Sequence, residues 1–139
     1  MSRRNDIERL AVGESRTAIP VHARVRWNPL QVIASPNETF VFSCRGRWWD
    51  ADIESGPEGQ AGEGIQRVTG WLKRKLDAPW FCVIGTLGRG SDGLFAIGAG
   101  CEWTNATGKT APLFAFANDA WLFYSNNRGE ILLDVRRIG

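Results

Sequence analysis

The segment Asn118-Asp119-Ala120-Trp121-Leu122-Phe123-Tyr124-Ser125-Asn126-Asn127-Arg128-Gly129 gathers hard oxygen donors in a short stretch between two apolar runs. Asp119 supplies a carboxylate, and Asn126 and Asn127 supply amide oxygens, the donor chemistry of calcium rather than of zinc or copper. Gly129 reaches backbone conformations closed to other residues, which lets the chain turn sharply after two adjacent asparagines aimed at one ion. The spacing is not that of an EF-hand, because Trp121 and Phe123 stand where that loop needs oxygen ligands. Asn-Asp and Asn-Asn are also good turn formers with no metal at all, so a purely structural reading stays open at this point.

Other reactive patterns are weaker. Gly108-Lys109-Thr110 resembles the end of a phosphate-binding loop, but the glycine required five positions earlier is Trp103, so the backbone cradle cannot form. His22 is the single histidine, and nucleophilic catalysis through a Ser-His or Cys-His pair would have to run through it from a solvent-facing position. Asp50, Asp52 and Glu54 lie together, with Glu58 and Glu63 beyond, and keep a glycosidase as an alternative to a binding protein. Lys73-Arg74-Lys75 reads as a solvated basic face. With a net charge of +2 and scattered basic residues, nucleic acid is not an expected partner. The three cysteines, Cys44, Cys82 and Cys101, are far apart and set among apolar residues, which predicts reduced, buried thiols rather than a disulfide framework.

These residues need a scaffold, and its period is that of strands. At 139 residues, 43% hydrophobic and 23% charged, with no apolar run long enough to cross a membrane, the chain reads as one soluble domain. Sixteen glycines and seven tryptophans favour turn-rich, all-β structure. Val21, Ala23, Val25 and Trp27 alternate with polar residues and predict a first strand, broken at Asn28-Pro29. Phe40, Phe42 and Cys44 predict a second, and Trp48-Trp49 a third. Further short strands are expected from Trp80 to Leu87, Leu94 to Cys101, Pro112 to Ala117 and Glu130 to Arg136, divided by Gly-rich turns. Ile65, Val68, Leu72 and Leu76 fall at helical spacing and predict one short helix. Residues 1–18 read as an N-terminal arm and 19–139 as a two-sheet β-sandwich domain. The start is charged and leads into no apolar segment, which predicts cytoplasmic synthesis, with release by a route that needs no signal peptide as the alternative. A homo-oligomer is compatible with all of this.

The order Asn-Asp, four residues, Tyr, one residue, Asn-Asn, one residue, Gly, followed by an alternating terminal strand, resembles the calcium loop of bacterial galactose-binding lectins of the PA-IL type. The resemblance implies a jelly-roll-like sandwich, no enzyme activity, and a calcium that directly ligates two hydroxyls of galactose. It implies side-chain ligands from Asp119, Asn126 and Asn127, a carbonyl ligand from Phe123, and a second carbonyl near Asp50. Gly56-Pro57-Glu58-Gly59 is similar to the family's Gly-Pro-Gln-Gly, beyond which a histidine and a glutamine contact the sugar. Gln66 stands at the glutamine position and Glu63 at the histidine position, which implies a carboxylate acceptor in place of a ring nitrogen. The sugar contacts implied are Glu63, Gln66, Asp119, Asn126 and Asn127, with Trp121, where the family has small residues, either stacking on a pyranose or packing in the core.

Overall fold

Period-two patterning is realised as ten strands among the residues that the computed structural model describes, 7–61, 70–90 and 93–139. In chain order these are β1 (Glu8–Arg9), β2 (Ser15–His22), β3 (Asn28–Ala34), β4 (Thr39–Asp50), β5 (Ile53–Ser55), β6 (Val83–Leu87), β7 (Leu94–Ala96), β8 (Gly100–Thr104), β9 (Ala111–Ala117) and β10 (Asn127–Arg137). One sheet has the order β1-β3-β9-β6-β7, and the other runs β2-β10-β4-β5, with β8 also paired to β4. Every pairing is antiparallel except that of β1 with β3. The protein is therefore an all-β sandwich of two sheets.

Inward-facing alternate residues build the core: Phe40, Phe42 and Trp48 of β4 and Ile131, Leu133 and Val135 of β10 meet Leu30, Val32, Val83, Leu113 and Ala115 of the opposite sheet. Each valine, leucine, isoleucine and phenylalanine among them contributes about 1.5–3 kcal/mol by leaving water. Trp48, wholly buried, donates its indole N–H to the Phe81 carbonyl at 3.1 Å, so its polar atom is not stranded.

Several expected boundaries shift for physical reasons. The first strand ends at His22 instead of running to Trp27, because the Asn28 amide accepts from the His22 N–H and donates to the carbonyls of His22 and Val25, curling the chain. Val21 and Ala23 are buried as the alternation requires, whereas Val25 is 39% exposed. Asn28-Pro29 opens β3 rather than breaking a strand, with Gln31 at φ 63° and a register shift before Ile33 absorbing the irregularity. The second and third expected strands are one twelve-residue strand, β4, which passes through Gly46 at φ 115°. There a Cβ would lie 3.2 Å from the Glu130 carbonyl of β10. Leu94 to Cys101 divides into β7 and β8, which join different sheets. The expected arm is part of the sandwich where it is described: Glu8–Arg9 pairs with β3, Leu10 is in the core, and β2 starts at Ser15. Of the helix expected over 65–76, a 3-10 turn at Gly70–Leu72 is present, and residues 65–69 lie outside the described residues.

All three cysteines are free, with Cys82 buried and Cys44 and Cys101 half-buried on the neighbouring strands β4 and β8. Burial pushes the Cys44 thiol up to about 12 and Cys101 to about 11. Since thiolate is the reactive form, an aromatic disulfide reagent at pH 8 should label the native protein slowly and release the full cysteine equivalent only in denaturant. Rapid native labelling would contradict these environments.

Candidate functional site

The polar loop between β9 and β10 sits at one end of the sandwich, where β4 also ends. Asn127 opens β10 directly opposite Asp50, the last residue of β4, and the Ala51 N–H donates to the Asn126 carbonyl at 3.0 Å. Between Asp119 and Asn127 the chain forms a 3-10 turn, Trp121–Asn126, closed by the Asn127 N–H on the Tyr124 carbonyl. Gly129 has φ 89°, and a Cβ there would press on the Trp49 ring at 3.0 Å, so glycine is required; it stands inside β10, paired with Trp48, and the sharp turn expected after the asparagines is not formed there.

Asp119 is 1% exposed and Asn127 2% exposed. One Asp119 carboxylate oxygen accepts from the Ala120 N–H at 2.7 Å and the other from the Asn127 amide nitrogen at 2.9 Å. That amide nitrogen also donates to the Ala23 carbonyl at 3.0 Å, so two acceptors determine which end of the Asn127 side chain is nitrogen. The Asn127 Oδ1 is consequently left buried without a donor. An unpaired buried oxygen is rare, because it forfeits its hydration and regains nothing. Burial also pushes the Asp119 carboxyl up to about 6, with the two hydrogen bonds pulling down and the nearby Asp50 charge pushing further up. A cation at these oxygens would satisfy the amide and favour the ionised carboxylate, and the hard oxygen set fits calcium.

Residues 73–75, expected as a solvated face, brace this loop instead. The Arg74 N–H donates to the Asp119 carbonyl, Lys73 Nζ donates to the Ala78 carbonyl and lies 5.7 Å from the Trp80 ring, and Lys75 pairs with Asp77 at 2.6 Å. Aliphatic stems packing on apolar surface carry these basic residues into the fold. Asn118, read from sequence as an ordinary turn former, is wholly buried. Its side chain accepts from the Lys75 N–H and donates to the carbonyls of Lys75, Ala78 and Pro79. It ties the 75–79 turn to the residue before Asp119. No sequence pattern distinguishes such an asparagine from one exposed in a turn.

Asp50, Asp119, Asn126 and Asn127 are thus brought to one place, with Asn126 exposed. Phe123 is in the same 3-10 turn, exposed, its N–H donating to the Ala120 carbonyl. Trp121 is 46% exposed, packed edge-on against Trp27 at a centroid distance of 6.0 Å, so it is a rim residue and not a core one. Glu63 and Gln66 lie outside the described residues. Of the acidic group, Asp50 is buried, Asp52 is exposed, and Glu54 pairs with Arg47 at 2.8 Å. No three His, Cys, Asp or Glu side chains among the described residues converge to hold a metal, so an ion here would have to draw on amides and carbonyls as well.

No family model matches the chain, and no curated protein matches it. Solved structures do match. One, described as "EclA N-terminal domain; PllA-like lectin", superposes with a TM-score of 0.62 at 18% identity, over 88% of this chain and 94% of that one. The likeness is one of fold: the two chains share the two-sheet sandwich.

Proposed function

We propose that this chain is a calcium-dependent carbohydrate-binding protein, not an enzyme, with the ion held by Asp119, Asn126 and Asn127 and by the backbone carbonyls of Phe123 and of the strand end near Asp50. The observation that carries the reading is the Asn127 Oδ1, buried without a donor beside a carboxylate that burial makes costly to ionise. The lectin-like sandwich supports it independently.

When bound, calcium takes six to eight oxygens, more than these donors supply, and so offers positions to two neighbouring sugar hydroxyls. The protein's own part is preorganisation. The Ala120 N–H and the Asn127 amide hold the Asp119 carboxylate in one orientation, and the Ala51 N–H on the Asn126 carbonyl ties the loop to the end of β4. Exposed Asn126 can hydrogen-bond a hydroxyl directly, and the exposed part of the Trp121 ring offers an apolar surface to a pyranose face. The sugar we favour is galactose-like, presenting one equatorial and one axial hydroxyl on adjacent carbons, with Glu63 and Gln66 as contacts to its hydroxymethyl group.

A second reading has its own support: both Asp119 oxygens already accept hydrogen bonds, so the loop is also coherent as a metal-free structural turn in an interaction domain. Calcium distinguishes the two. An ion that binds the native state alone adds RT ln(1 + [L]/Kd), about 2.7 kcal/mol at a hundredfold excess over Kd, so melting should rise in millimolar calcium after chelator treatment. Titration calorimetry should then show galactose binding in calcium, weaker or absent glucose and mannose signals, and loss of all signal with chelator. An unchanged melting temperature would remove the metal. Calcium binding without any sugar signal would favour the interaction domain.

A further inference from the structure

The outer face of the β7-β6-β9 sheet carries a feature of which the calcium reading uses only the rim residue Trp121. Trp27 packs edge-on against Phe114 and Phe116 of β9, with centroids at 6.2 and 5.6 Å, and Trp121 packs against Trp27 in turn. A pocket of about 220 Å³ opens there, lined by Trp27, Trp121, Leu94, Arg74, Arg89 and Gly90. The Arg74 guanidinium lies 3.3 Å from the Phe116 centroid and 4.4 Å from that of Trp27. Its Nη1 donates to the Arg26 carbonyl and the Tyr124 hydroxyl, while its Nη2 is buried with no acceptor. Arg89 is exposed beside Phe114, and Arg26 lies 5.0 Å from the Trp121 ring. Three guanidinium groups therefore surround this aromatic cluster, and among the described residues none of them pairs with a carboxylate.

We propose that this pocket binds a small organic carboxylate with a flat apolar body. A guanidinium presents donors in a planar fork that matches a carboxylate: exposed Arg89 offers one at the rim, and a side-chain shift of Arg74 toward the pocket would bring its buried, unpaired Nη2 to the same anion. Burial and the like charge of Arg26 both lower the Arg74 pKa, so the charge already sits there at a cost. The two indoles and Leu94 offer nothing to the outer oxygens of an inorganic phosphate or sulfate, and they suit a ring. A cavity of about 150 Å³ holds benzene, so this one has room for a ring and its carboxylate. Free aromatic acids carry both features, and uronic acid residues of glycans share the carboxylate and present one apolar C–H face of their ring.

The test uses the full chain in chelator, which separates it from the calcium site. Benzoate and the isosteric neutral benzamide are titrated by calorimetry and by tryptophan fluorescence. Benzoate should saturate and bind about tenfold tighter than benzamide. Arg89→Ala, at an exposed position, should weaken benzoate about fivefold with no change in melting temperature. Arg74→Lys, which keeps the charge but loses the fork, should weaken it as well, with circular dichroism verifying the fold. Galacturonate competing with benzoate would assign the pocket to acidic sugars, and a benzoate signal that galacturonate does not displace would assign it to aromatic acids. Equal binding of benzoate and benzamide, binding of neither, or an Arg89→Ala variant indistinguishable from the parent would overturn the proposal.

Discussion

Asn118→Ala should cost this protein about 3–5 kcal/mol, close to the whole margin of a domain with ordinary stability. The side chain is wholly buried and serves one N–H and three carbonyls of the 75–79 turn. Truncation strands the Lys75 N–H, at about 1–3 kcal/mol, and removes three further hydrogen bonds at about 0.5–1.5 kcal/mol each, although the Lys75, Ala78 and Pro79 carbonyls keep the Ala78 N–H, Lys73 Nζ and the Cys82 N–H as donors. Asn118→Asp is the sharper variant: it keeps an acceptor for the Lys75 N–H but sets an oxygen against three carbonyls, and it should be no better than alanine. Urea titration checks both, a lower midpoint at unchanged slope being the signature of lost stability rather than a changed unfolded state. A loss under about 1 kcal/mol for Asn118→Ala would mean that this network is not what holds the turn.

Asp119→Asn should give a protein that calcium no longer stabilises and that, in chelator at neutral pH, melts higher than the parent. The sign follows from the shift. In the calcium-free native state Asp119 titrates near 6 instead of 3.8, so between those values the folded form holds a proton that the unfolded form has released. Its contribution is most favourable below the unfolded value, declines as pH rises through the window from about 4 to 6, and is flat above. The decline is roughly 3 kcal/mol, at about 1.4 kcal/mol per unit. An amide carries no charge and escapes that penalty. It also presents one oxygen where the carboxylate presented two, so about 1 kcal/mol is lost with one of the hydrogen bonds to Ala120 and Asn127. Melting curves in chelator at pH 4, 5, 6 and 7 should therefore converge for the two proteins at low pH and separate at high pH. Parallel curves would show that Asp119 is ionised without penalty and that its burial is compensated by some group other than a metal.

What the sequence made legible was whatever depends on local period and donor type. The alternation of Phe40 and Phe42, and of Ile131, Leu133 and Val135, marks inward faces that are indeed buried, and Gly129 does take a positive φ, although within β10 and not at the turn that its place after two asparagines suggests. Boundaries decided by a single distant side chain were not legible. Asn28 cuts the first strand short by bonding His22 and Val25, although the residues it bonds alternate like any strand. The stretch from Cys44 to Trp48 reads as the boundary of two strands and is continuous in β4, because whether a glycine such as Gly46 ends a strand depends on the neighbour it passes, here β10. Lys73-Arg74-Lys75 reads as solvated because charge is all that a linear string displays, while the aromatic rings that receive Arg74 come from β9 and from the chain on either side of it.

The length of β4 has a practical consequence for presentation. Its first residue, Thr39, bonds to Gly139 and Ile138, and its last, Asp50, lies against Asn127 at the candidate site. Eleven steps of about 3.3 Å put these ends up to roughly 36 Å apart. A tether, bead or fusion partner joined after Gly139 would therefore hang from the pole opposite the loop, and immobilised copies would all point that loop outward. Attachment through Gly139 leaves the candidate site unobstructed for the glycan test of the proposed function, whereas attachment through the 121–126 turn would block it.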